Sequence, residues 1–101
     1  MNLVPQVTPA QLSIIRDNVA VLDVREPDEV AGGRIPGAAN IPLGQLVGRL
    51  GELEFRRPVV VVCQSGRRSQ RAADLLTVAG FLVSNLVGGM NDWVSAGHPT
   101  A

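Results

Sequence analysis

The chain has 101 residues, 46 % of them hydrophobic and only three aromatic, with one cysteine and nine arginines balanced by nine acidic residues. That length suits a single domain, residues 1–101, whose core needs no disulfide or structural metal. A neutral chain poor in aromatic rings lacks both the basic stripe that neutralises a phosphate backbone and the platforms on which bases stack, so no nucleic-acid partner is expected.

A lone cysteine excludes an internal disulfide and fits a reducing compartment or a thiol kept for its reactivity. Met1-Asn2-Leu3-Val4-Pro5 has neither the charged nor the apolar segment of a secretory leader. No apolar run approaches the roughly 20 residues that span a bilayer. The expectation is a soluble cytoplasmic protein with no membrane partner.

In chain order, a marginal strand falls at Gln6-Val7. Thr8-Pro9-Ala10-Gln11 then reads as a helix start, with Thr8 as N-cap, Pro9 at the first helical position and Gln11 closing a capping box; this helix runs to about Asp17-Asn18. Val19 to Val24 is a short apolar run and predicts a strand. Pro27 to Val30 predicts a helical turn, stopped by Gly32-Gly33. Ala38 to Ile41 predicts a strand bounded by Pro36-Gly37 and Pro42. Leu43, Leu46, Val47 and Leu50 stand at helical spacing and predict one apolar helix face. Val59 to Val62 is four β-branched residues without alternation, the pattern of a strand covered on both faces, as in parallel sheets. Arg68 to Ala79 predicts a helix with Ala72, Leu75, Leu76 and Ala79 inward and Gly80 as its stop. Phe81 to Val87 predicts another strand, and Met90 to Ala96 a last helix stopped by Gly97 and Pro99. Strands alternating with helices imply a small open α/β sheet of four to five mostly parallel strands, flanked by helices on both faces.

The chemistry concentrates in Cys63-Gln64-Ser65-Gly66-Arg67-Arg68-Ser69, where a buried strand stops, a loop turns and a helix begins. Ligands of open α/β sheets sit beyond the carboxyl ends of the strands, and Cys63 is placed at that edge. Gly66 permits a backbone that lets successive N–H groups converge into a nest, and the helix start adds further donors and partial positive charge. Arg67 and Arg68 add charge, and Ser65 and Ser69 offer hydroxyl protons. All of these favour thiolate over thiol, against a reference pKa of about 8.5. A buried, inert cysteine would be followed by a less polar, less donor-rich segment than this one.

This loop resembles the Cys-x-x-Gly-x-Arg-Ser loop of single-domain members of the rhodanese family. Three more stretches agree in order and spacing over residues 6–99: Asp23-Val24-Arg25, Ile35-Pro36-Gly37-Ala38, and Gly88-Gly89 followed by Trp93. Arg34 stands where members usually carry a histidine, a position that is structural in the family. The resemblance implies that thiolate Cys63 takes the outer sulfur of a donor such as thiosulfate, holds it as a persulfide within the Gln64–Ser69 loop, and yields it to a thiol or protein acceptor, with no metal and no cofactor. Arg68 occupies the family's arginine position and has two readings, a contact to the sulfonate of the donor or a brace paired with an acid such as Asp23 or Glu26, of which the brace is preferred. Arg67 is read as reaching solvent. Asp23 and Arg25 are read as a supporting structural pair, Trp93 as core, and His98 as an exposed residue of a Gly-His-Pro tail.

Two other functions compete. Cysteine phosphatases and arsenate reductases of this general shape place five residues between cysteine and arginine, whereas four lie between Cys63 and Arg68; the smaller ring suits one sulfur atom better than a tetrahedral oxyanion. A non-enzymatic persulfide carrier or regulatory binding module is the other alternative.

Overall fold

The computed structural model describes residues 4–101; Met1–Leu3, part of the stretch read above for a leader, lie outside them. The elements follow the expected order: β1 Gln6–Val7, α1 Pro9–Ile15, β2 Ala20–Asp23, α2 Pro27–Ala31, β3 Ala39–Asn40, β4 Val59–Val62, α3 Arg67–Val78, β5 Val83–Leu86 and α4 Gly89–Ser95. Thr8 caps α1 through a reciprocal capping box with Gln11, and Pro9 sits in its first turn. The strands form one five-stranded, wholly parallel sheet in the order β1-β5-β4-β2-β3.

β4 lies at the centre, hydrogen-bonded to β2 on one side and β5 on the other. Its side chains divide by the period of two that a strand imposes. Val59, Val61 and Cys63 join the layer containing Ala72, Ala73 and Leu76 of α3. Val60 and Val62 join the opposite layer, with Leu12 of α1 and Met90 and Trp93 of α4. A strand clothed on both faces has no polar face, hence four consecutive valines. Trp93 is fully buried, as expected.

Four expectations need correction. Leu43 to Leu50 forms two short 3-10 helices, Leu43–Gln45 and Val47–Glu52, instead of one apolar α-helix. Gly44, Gly48 and Gly51 lower its helical propensity, and Arg49 leaves helical geometry at φ −123°. Leu46 is buried while Val47 is 67 % exposed. In α3 the inward residues are Ser69, Ala72, Ala73 and Leu76; Leu75 is 40 % exposed and Ala79 is exposed at the C-cap. Phe81 and Leu82 precede β5 rather than begin it; Phe81 meets Phe55 edge-to-face at 5.1 Å. His98 is half-buried, with its ring 4.6 Å from that of Trp93. The tail holds it there: Trp93 Nε1 donates to the Pro99 carbonyl, and Arg34 and Ala101 exchange backbone hydrogen bonds. Among the described residues no helix is long and apolar enough to cross a membrane.

Candidate functional site

Cys63 follows β4 directly, at the carboxyl edge of the sheet's central strand, and the chain turns through Gln64, Ser65 and Gly66 into α3. Gly66 has φ +99°, a conformation that other residues avoid. It turns the Gly66 N–H toward the sulfur, 3.0 Å from Cys63 Sγ. Ser69, one turn into α3, puts its hydroxyl oxygen 3.3 Å from the same atom.

The loop is fastened from behind by α4. Met90 N–H donates to the Cys63 carbonyl at 2.8 Å and Asn91 N–H to the Gln64 carbonyl at 3.0 Å. With those carbonyls drawn outward, the loop's amides are left facing the sulfur. Gly89 permits the approach: it has φ +56°, and a Cβ there would run into the Cys63 carbonyl and the Gln64 backbone. The Gly88-Gly89 pair therefore serves the cysteine loop as well as the start of a helix.

Cys63 is 1 % exposed. Burial pushes its thiol up, but hydrogen bonds from the Ser69 side chain and from the Ser69, Gly66 and Ser65 amides outweigh burial and bring it below the range of an ordinary cysteine. Ser65 thus contributes its backbone N–H, while its own side chain is exposed.

The expected support pair is present and buried. Arg25 grips the Asp23 carboxylate through Nε and Nη2 at 2.8–3.1 Å, and the Arg25 N–H also donates to it. Arg25 Nη1 then donates to Gln64 Oε1 at 3.1 Å, and Gln64 Nε2 donates to Asn91 Oδ1 at 2.7 Å. Gln64 is thereby tied at both ends of its amide. Asn40 closes the same corner by donating to the Asp23 and Arg25 carbonyls, each at 2.9 Å. Asn40 and Asn91 escaped the sequence reading because isolated asparagines carry no spacing signal.

Arg68 is a brace, but its acid is Glu29 of α2, not Asp23 or Glu26. Nη1 and Nη2 lie 2.6 and 2.7 Å from the two Glu29 oxygens. Asp23 is already taken by Arg25, whereas Glu29 offers both its oxygens to Arg68 while also accepting from the Glu26 N–H. Arg67 is exposed and forms no ion pair among the described residues. A hollow of about 300 Å³ opens beside the loop between Arg25, Glu29, Gly33, Gln64, Met90 and Thr100. A larger one, about 760 Å³, lies at the other end of the strands among Val4, Phe81 and Leu82, away from the cysteine.

The Rhodanese-like domain family model matches residues 8–96. YqhL of Bacillus subtilis is 47 % identical over 74 residues, 72 % of this chain and 59 % of that protein. YrkF of the same organism is 42 % identical over 76 % of this chain but 42 % of its own length. This chain thus spans about half the length of those two relatives. A protein named sulfurtransferase from Allochromatium vinosum is 38 % identical over 84 residues, 82 % of this chain and 78 % of that one. The crystal structure of a rhodanese-related protein from Thermoplasma volcanium superposes with a TM-score of 0.93 at 32 % identity, covering 96 % of this chain and 97 % of that one.

Proposed function

Because this chain belongs to the rhodanese-like domain family, we propose that it is a thiosulfate sulfurtransferase-like enzyme in which Cys63 carries the sulfur. Relatives named sulfurtransferase and thiosulfate sulfurtransferase support the reaction class. The observation that carries the assignment to Cys63 is the position of its sulfur: at the end of the central strand, 3.0 Å from an inward-turned glycine N–H.

In the first step the Cys63 thiolate attacks the outer sulfur of thiosulfate. The new S–S bond forms as the bond to the sulfonate breaks, and sulfite leaves with the bonding electron pair. One thiolate and one dianion become one persulfide anion and one dianion, so no external oxidant is consumed. In the second step cyanide, or a thiolate in the cell, attacks the outer persulfide sulfur and releases the Cys63 thiolate. The ring of N–H donors stabilises an anionic sulfur at both stages, as preorganised donors do where charge resides. Gln64, Ser65, Gly66, Arg67, Arg68 and Ser69 form the binding loop in this reading. Asp23 and Arg25 support it through Gln64.

Phosphoryl transfer is the less favoured chemistry for a specific reason. An oxyanion in the loop would require the Arg68 guanidinium, and both of its terminal nitrogens are committed to Glu29.

The test is intact mass spectrometry after incubation with thiosulfate. The expected result is the gain of one sulfur atom by wild type and none by Cys63→Ala, together with thiocyanate production on adding cyanide. Hydrolysis of an aryl phosphate without any sulfur adduct would overturn the proposal.

A further inference from the structure

Behind the sulfur lies a buried polar chain of which the mechanism above uses only Ser69. Ser69 is fully buried and Asn85 of β5 is 3 % exposed. The Ser69 hydroxyl oxygen stands 2.5 Å from Asn85 Oδ1 as well as 3.3 Å from Cys63 Sγ. The orientation of the Asn85 amide follows from its other neighbours. Nδ2 lies 3.3 Å from the Gly66 carbonyl, and a backbone carbonyl only accepts. Nδ2 also donates to Gln6 Oε1 at 2.9 Å and meets Gln70 Oε1 at 3.3 Å. Oδ1 is therefore the atom turned to Ser69.

Two oxygens 2.5 Å apart require a proton between them, and only Ser69 has one to supply. In this arrangement Ser69 donates to Asn85, and the Cys63 thiol is left to donate to Ser69. When Cys63 ionises, its sulfur can only accept. The Gly66 N–H is aimed at it in either state, but the Ser69 proton reaches it only by leaving Asn85. We propose that Asn85 is a positioning residue that competes with the Cys63 sulfur for the single Ser69 hydroxyl proton and so limits how far the loop stabilises the anion. A thiolate left more basic is intrinsically the stronger nucleophile, which suits attack on a donor sulfur.

This inference rests on Cys63 being the reactive thiol. The charged groups around the loop are Arg67 and Arg68 of α3, Asp23 at the end of β2, Arg25 just after it, Glu29 of α2 and Asp92 of α4. Two pairs among them, Arg68–Glu29 and Asp23–Arg25, neutralise each other, and none of the substitutions below alters a charge.

The test is the pH dependence of alkylation of the whole chain by iodoacetamide, in wild type, Asn85→Val, Ser69→Ala and the double variant. Asn85→Val should move the midpoint down by about one unit, giving about tenfold more thiolate at a pH well below it, the scale expected of one hydrogen bond to a charged group. Ser69→Ala should move it up, and adding Asn85→Val to Ser69→Ala should change nothing. A folded Asn85→Val with an unchanged or raised midpoint overturns the inference, as does a downward shift that persists without Ser69. Wild type supplies a reading that needs no variant: the Asn85 side-chain NH₂ resonances should shift with the Cys63 midpoint, and resonances that stay fixed overturn it. Alkylation uses no sulfur donor. A chain that follows this pattern but gains no sulfur from thiosulfate would sink the sulfurtransferase reading alone.

Discussion

Arg68 and Glu29 join α3 to α2 in a two-pronged ion pair, with the guanidinium nitrogens 2.6 and 2.7 Å from the two carboxylate oxygens. The pair bridges the start of the helix after the cysteine loop to the helix after β2. It commits both terminal nitrogens of Arg68 to Glu29. The hydrogen bonds from Arg68, offset in part by burial, bring the Glu29 carboxyl from 4.5 down to about 2.

That depression sets a pH dependence of stability. A carboxyl whose folded pKa is lowered stabilises the fold fully above its unfolded pKa and loses that contribution as pH falls through the folded one. Glu29→Gln should cost about 1 kcal/mol at pH 7, a modest figure because both side chains are about one-third exposed and solvent screens them. The difference from wild type should shrink between about pH 4.5 and pH 2. Urea unfolding of both proteins at pH 7 and pH 3 measures it, and an equal difference at both pH values would contradict the assignment.

Cys63 should titrate below an ordinary cysteine, since the donors around it outweigh its burial. Alkylation followed against pH should give a midpoint below that of a free cysteine in an unfolded peptide. By the same linkage, ionisation of Cys63 favours the folded state at alkaline pH. The stability gap between wild type and Cys63→Ala should therefore move in favour of wild type as pH rises through the folded midpoint, and level off above the midpoint of the unfolded chain.

Gly89 and Gly37 both have positive φ but differ in what surrounds them. A Cβ at Gly89 meets the cysteine loop, while one at Gly37 meets nothing within 4 Å. Gly89→Ala should displace the loop, destabilise the fold by about 2–4 kcal/mol through overpacking and strain, and abolish thiocyanate formation. Gly37→Ala should show only the strain, about 1 kcal/mol, with activity retained. Thermal unfolding and the sulfur-transfer assay compare the two.

Arg67 and Arg68 should separate in kinetics. Arg67 is exposed and free of ion pairs among the described residues, so in the proposed reaction it would be the arginine that an incoming dianion meets from solvent. Arg67→Ala should raise KM for thiosulfate about three- to tenfold, with kcat little changed and the effect fading at high salt. Arg68→Ala should act mainly on stability. A variant of Arg67 with reduced kcat and unaltered KM would show that this arginine does more than attract the donor.

Much of the site was legible in the residues because the signals are local. Thr8-Pro9-Ala10-Gln11 specifies its own helix start through bonds that span three residues. The four valines announce a strand with no solvent face, and Gly66 marks the turn that aims an N–H at the sulfur. The segment from Leu43 to Leu50 misled for the same reason. Its leucine spacing is helical, but its glycines and the packing of Leu46 against the core left it in two 3-10 turns.

The sequence by itself determined the alternation of strand and helix, the family, and the place of Cys63 at the end of a buried strand, since all of these rest on neighbours along the chain. Only the tertiary structure decided which acid holds Arg68, because Glu29 is 39 residues away and the residues alone pointed to Asp23 or Glu26. It also placed Gly89 and Asn91 of α4 behind the loop, and set Asn85 against Ser69. Those contacts exist because parallel strands require long crossovers, which bring the ends of β4 and β5 and the starts of α3 and α4 to one edge. No spacing in the sequence records that meeting.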